Sequence, residues 1–179
     1  MFKIVKDNEK SIREKCQLVE TPISQEIKDL ALEMVEYLIK SQDDEYAEKN
    51  GIRSGVGLAA PQIGIQKRIF AVYYPTEDGI VQHALINPKI IQNSLKKVAL
   101  ASGEGCLSVD NDHPGYVYRY DKIVIKGFDA ITNKDVTITA RGYDAIVLQH
   151  EYDHLDGILY YDRIDKENPT KEIPNSYLI

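Results

Sequence analysis

Leu148-Gln149-His150-Glu151-Tyr152-Asp153-His154-Leu155-Asp156-Gly157 is the stretch on which the fold turns. Two histidines stand four apart with a glutamate directly after the first. On a helix, positions i and i+4 lie one turn apart on one face, so both imidazoles can reach one metal ion. The spacing predicts a helix over Ala140 to Leu155, which lacks proline and meets Gly157 where a helix ordinarily stops. At about 100° per residue, Tyr143, Ile146, Val147, His150 and His154 fall within one arc of roughly 100°. Both histidines therefore sit on the apolar, core-facing stripe. A single histidine there is usually a satisfied core residue. Two are costly to bury without partners, and a shared metal partners both. Glu151 falls at the edge of the arc, placed to touch a water on the metal rather than to ligate it; the bland alternative is a solvated helix glutamate.

Outward from this segment, composition sets the bounds. A chain of 179 residues is read as one domain, 1–179, with 43% hydrophobic and 28% charged residues, as in ordinary soluble proteins. The net charge of −6 argues against a nucleic-acid groove, and no DNA partner is expected. Most of that charge is local: Ser24 to Asn50 holds eight acidic and three basic residues, the solvated face of one helix. Two cysteines, Cys16 and Cys106, fit a reducing compartment better than a disulfide. The N-terminus is too polar for a signal peptide, and no apolar run approaches the roughly 20 residues that cross a bilayer. The expectation is a cytoplasmic domain with no membrane partner.

Residues 1–22 read as an extended segment packed on the body. Ser24 then reads as the N-cap of an amphipathic helix that carries Ile27, Leu30, Ala31, Met34, Val35, Leu38 and Ile39, with Asp43-Asp44-Glu45 continuing or fraying it. Met34 is core filler. Strands are expected at 68–74, 84–87, 98–101, 122–126, 135–139 and 158–161, with hairpin turns at Asp78-Gly79 and Thr132-Asn133. The tail is expected to be loop with one terminal edge strand. The fold class is α+β: mostly antiparallel strands surrounding a central metal-binding helix, with an outer amphipathic N-terminal helix.

Two histidines leave a catalytic tetrahedron one protein ligand short. His83, His113 and many carboxylates are candidates; the best is Cys106 in Gly103-Glu104-Gly105-Cys106-Leu107-Ser108, a glycine-flanked thiol between strand-like segments. Its bland alternative is a small buried hydrophobe. Gly55-Val56-Gly57-Leu58-Ala59-Ala60-Pro61-Gln62, with Gly64 beyond it, marks a loop whose backbone comes close to something. It lacks the GK[ST] ending of a phosphate loop.

These three segments together resemble peptide deformylase. That family carries, in this order, GxGLAAxQ, EGCLS and QHExDH, matched here at Gly55–Gln62, Glu104–Ser108 and Gln149–His154. The likeness extends over nearly the whole chain; Ser11-Ile12-Arg13 is also similar to a family segment, and the long stretch before Gly55 resembles the longer, second type of bacterial deformylase. Two departures, Tyr120 after Arg119 and Asp110 after Val109, stand where proline is common and bear on the substrate entrance.

The resemblance implies removal of the N-formyl group from the initiator methionine of new polypeptides, with release of formate. It implies that Cys106, His150 and His154 hold one divalent metal ion, usually Fe2+, with Zn2+, Ni2+ or Co2+ able to replace it; affinity order alone would favour zinc over iron. Such a metal lowers the pKa of its water from about 15.7 to about 7, giving hydroxide that attacks the formyl carbon. Glu151 would serve as general base and then acid, and Gln62 and the Leu107 N–H would donate to the oxyanion. Glu104 would hold a ligating imidazole in its tautomer. Gly55, Val56 and Gly57 would lie along the substrate, and Tyr143, Ile146 and Val147 could line the methionine slot or pack the core. Tyr116, Tyr118 and Tyr120 read as exposed strand aromatics, with a place flanking the peptide-binding edge as the alternative. The partner is an N-formylmethionyl peptide, with a transient ribosome contact, although the tail from Asp162 offers no obvious RNA-binding surface. The rivals are a zincin-type peptidase with another third ligand and a non-catalytic domain with a four-ligand structural metal.

Overall fold

The computed structural model describes residues 1–179 as three α-helices, α1 (Gln25–Ser41), α2 (Asp44–Asn50) and α3 (Tyr143–Leu155), with eight strands. β1 (Gly57–Ala59), β2 (Ile69–Thr76), β3 (Gly79–Asn93), β6 (Lys122–Asp129) and β7 (Lys134–Arg141) form an antiparallel sheet in the order β1-β2-β3-β6-β7. β4 (Lys97–Ala99), β5 (Arg119–Tyr120) and β8 (Ser176–Leu178) form a smaller one, in which terminal β8 is the edge and runs parallel to β4. The α+β class and its largely antiparallel pairing agree with the sequence.

The period of two in β2 explains how the layers hold together. Ile69 and Ala71 join Ala31, Met34, Val35 and Leu38 of α1 in one apolar cluster. Phe70, Val72 and Tyr74 join Ala145, Val147, Leu148 and Leu155 of α3 in a second. The strand is thus covered on both faces, by the outer helix on one and the histidine-bearing helix on the other. Ser24 caps α1 by accepting from the Ile27 N–H, as its position suggested. The hairpins fall at the expected turns, with Thr76 opposite Gly79 and Asn133 in the left-handed region.

Four boundaries differ from the sequence reading. The histidine helix starts at Tyr143, not Ala140, because Ala140 is buried in β7 opposite Ile123 and Gly142 turns the chain out of the sheet. The acidic run does not extend α1; Asp43 accepts from Tyr46 N–H and caps a separate α2. The strand expected at 98–101 ends at Ala99, ahead of a turn through Gly103. Residues 158–161 are not a strand: the left-handed turn at Gly157 leads into a 3-10 turn, Tyr160–Arg163, where the Leu159 N–H donates to Asp162.

The N-terminal segment is extended, apart from one 3-10 turn at Lys10–Arg13, and it ties the future site together. Val5 N–H donates to Gln62 O (2.7 Å), Asp7 N–H to Ser108 O (2.9 Å) and Cys16 N–H to Leu155 O (2.8 Å). Two motif segments and the end of α3 just beyond the third are therefore stitched to one stretch of chain.

Candidate metal centre

α3 presents His150 and His154 on one side, and the irregular segment after Gly103 brings Cys106 to meet them. One donor atom from each of the three lies within 4.8 Å of the others, and Cys106 Sγ is 3.3 Å from His154 Nε2. A thiol with two imidazoles suits a borderline divalent cation, and three donors leave a fourth position for water or substrate. No further His, Cys, Asp or Glu joins the group. His113 instead stacks on Tyr161 and His83 pairs opposite Val72 on β3.

Glu151 is buried beside the group, its Oε1 4.0 Å from His150 Nε2, and its Oε2 has no hydrogen-bond partner. A buried carboxylate oxygen without a donor is costly, so something outside the chain must meet it. Burial pushes the Glu151 carboxyl up to about 7, with Glu104 adding to the rise and His150 and Arg119 opposing it. Gly57 makes room for it: a Cβ there would sit 2.3 Å from Glu151 Oε1. Gly55 similarly makes room for Leu107, whose Cδ1 would lie 2.8 Å from a Cβ. The close approach read from the glycines is thus to the protein's own side chains.

Gln62 is fully buried on a short 3-10 turn after β1. Its Oε1 accepts from Ala59 N–H (2.9 Å), which orients the amide so that Nε2 faces Ser108 Oγ (3.1 Å) and Cys106 Sγ (3.4 Å). The Leu107 carbonyl accepts from Lys6, whereas its N–H has no acceptor within the protein. Glu104 Oε1 lies 2.8 Å from His150 Nδ1, and both Glu104 oxygens accept from Arg119. Burial alone would raise the Glu104 carboxyl; Arg119 and His150 outweigh it and hold it at about 2. A carboxylate there keeps the proton on Nδ1 and leaves Nε2 as the donor to a metal. Burial and the neighbouring His150 lower the His154 pKa well below its usual value, whereas, against the effect of burial, Cys106 and Glu104 raise the His150 pKa well above its own. Of the two rings, His154 is the one held neutral by the protein alone.

A cleft of about 290 Å³ opens onto this group. Gly55, Val56, Gly57, Leu100, Ile146 and Val147 wall it, and Tyr143 stands at its edge, 38% exposed. Tyr116, Tyr118 and Tyr120 are absent from it; Tyr118 donates to Lys171 O and Tyr120 lies under Lys97. Arg119 and Asp153 had no assigned part in the sequence reading, yet both are buried beside the ligands. The three tyrosines are half-buried rather than exposed, and only Tyr120 lies in a strand, but they alternate with buried Val117 and Arg119, and that period of two was the signal for Arg119.

A mixed fold with a buried His-Glu-His helix, a facing thiol and no fourth protein donor beside them defines the class of a metal-dependent hydrolase. The sequence model of polypeptide deformylase matches residues 1–170. The chain belongs to that family. It is 47% identical over 180 residues to "Peptide deformylase 2" of Bacillus subtilis (strain 168), covering all of this chain and 97% of the relative. Its fold matches peptide deformylase from Thermus thermophilus with a TM-score of 0.75, 31% identity and coverage of 93% of this chain and 87% of the other. It also matches a Met-Ala-Ser-bound class I type b peptide deformylase from Acinetobacter baumannii, with a TM-score of 0.73, 29% identity and coverage of 92% and 98%.

Proposed function

We propose that this chain removes the N-formyl group from N-formylmethionyl peptides at the start of new polypeptides and releases formate, working in the cytoplasm in transient contact with the ribosome. The observation that carries this reading is the unpartnered Oε2 of buried Glu151 beside Cys106, His150 and His154, in a cleft that Cys106, His150 and Glu151 help to line. Those three residues would hold one divalent ion, Fe2+ by family habit, with Zn2+, Ni2+ or Co2+ as substitutes. Such an ion supplies Lewis acidity and acidifies a water held beside it.

Glu151 takes a proton from the attacking water and returns it to the leaving amine; its buried carboxylate, with one oxygen free of protein donors, is placed for both transfers. As the formyl carbon becomes tetrahedral, charge grows on its oxygen. The free Leu107 N–H and Gln62 Nε2 are the donors for it, and sulfur is a weak acceptor from which Gln62 can turn at little cost. Glu104 keeps His150 in the ligating tautomer. Tyr143, Ile146 and Val147 supply apolar lining for the methionine side chain, and Gly55, Val56 and Gly57 line the same cleft along the peptide. A Met-Ala-Ser peptide in the Acinetobacter baumannii protein supports this occupant.

The test is formate release from formyl-Met-Ala by anaerobically purified protein. Acetyl-Met-Ala and unblocked Met-Ala are expected to be inert; cleavage of their peptide bond would favour a zincin-type peptidase. Glu151→Gln is expected to keep its metal and lose about 10²–10⁴ in kcat. Turnover at the unsubstituted rate would remove Glu151 from the proton's path.

A further inference from the structure

The carboxylate behind His150 is the first link of a longer chain of charges. Glu104 Oε1 is shared between His150 Nδ1 and Arg119 Nη2, each at 2.8 Å, and Glu104 Oε2 accepts from Arg119 Nε, also at 2.8 Å. The remaining arm of that guanidinium, Nη1, donates to Asp153 Oδ2 (2.9 Å). Asp153 is gripped in turn by Arg163, through Nε at 2.6 Å and Nη2 at 2.8 Å. Glu104, Arg119 and Asp153 have side chains under one-tenth exposed, whereas Arg163 is 41% exposed on the 3-10 turn that follows α3. Charges alternate along the row and sum to zero.

Because one oxygen of Glu104 serves both His150 and Arg119, any shift of the guanidinium moves the acceptor that orients the imidazole. Nothing else with a formal charge pairs with Arg119. Its placement therefore depends on Asp153, and Asp153 without Arg163 would be a buried carboxylate with half its neutralising partners. Resting on the metal-centre reading above, we propose that Asp153 and Arg163 are positioning residues for His150, acting through Arg119 and Glu104, so that the surface turn at Tyr160–Arg163 sets how tightly the cation is held.

The experiment measures Zn2+ affinity by chelator competition, and the Co2+ absorption spectrum, on anaerobically prepared unsubstituted protein and on Arg163→Met, Arg163→Lys and Arg13→Met. Arg13 pairs with Asp162 on the same turn without touching the network, so its loss loosens the turn alone. Arg163→Met is expected to weaken Zn2+ binding about 10-fold or more and to shift the Co2+ bands. Arg163→Lys, which keeps the charge but not the two-pronged grip, should fall between, and Arg13→Met should stay within about twofold. Equal losses in Arg163→Met and Arg13→Met, or an Arg163→Met affinity within about twofold of the unsubstituted protein, overturns the proposal. If Arg163→Met does not fold, Arg163→Lys decides by the same comparison with Arg13→Met. Unsubstituted protein that takes up neither metal overturns the metal-centre reading instead, which separates the two failures.

Discussion

A methyl group at position 57 would collide with the Glu151 carboxylate, and that collision converts a glycine into a functional requirement. Gly57→Ala is expected to cost about 100-fold in kcat, because a displacement near 1 Å at the reacting group carries that penalty; formate release measures it. Gly55→Ala meets only the flexible end of Leu107 and should cost less. The two cysteines diverge as well. Burial pushes the Cys16 thiol up to about 11, Asp156 and Glu14 add to it, and Arg68 opposes. A raised folded-state pKa means the protonated thiol contributes stability in full below the unfolded value near 9, and that contribution is lost as pH rises from there through 11. Cys16→Ala should flatten that part of the alkaline stability profile, measured by urea unfolding between pH 8 and 11. An unchanged slope would remove Cys16 as its source. At this scale the sequence was most legible. His150, Glu151 and His154 stand out by chemical type and spacing and Cys106 only as the best of several candidate ligands, whereas Arg119 and Asp153 matter only through partners that the fold supplies.

The elements were legible where one periodicity ran without competition. Alternation in β2 and the heptad-like stripe of α1 each marked an element whose bounds match within two residues, and Ser24 marked its start. The start of α3 was not legible, since Ala140 suits a helix as well as the next-to-last position of β7; pairing with Ile123 decides it. Residues 158–161 look like a strand by composition, but Gly157 redirects them. A Cβ at Gly157 would lie 2.2 Å from Arg13 O, and its φ is +72°. Gly157→Ala should therefore destabilise by more than the about 1–2 kcal/mol that left-handed backbone alone costs, because the N-terminal segment must also move off α3. Urea unfolding with a loss under that range would show that the segment adjusts freely.

For the whole molecule, topology was the least legible layer: the hairpin pairs β2-β3 and β6-β7 follow from their turns, but the β1-β2, β3-β6, β5-β4 and β4-β8 pairings are encoded by no local pattern. The site inherits this. Gln62, Cys106 and His154 meet across separations of 44 and 48 residues. A cation binding only the folded arrangement stabilises it, by about 2.7 kcal/mol at a hundred times its dissociation constant. Chelation is therefore expected to lower the melting temperature by about 5–10 °C, with recovery on adding Zn2+; a melting temperature indifferent to chelation would deny the coupling. The same long separations impose a timetable. As the polypeptide emerges from its first residue onward, Cys106 is exposed long before either imidazole, and Arg163 comes later still. Capture of the ion is consequently one of the last events in this protein's own biogenesis, and any shortfall in the supply of that divalent ion would be felt first by freshly made copies rather than by those already in service.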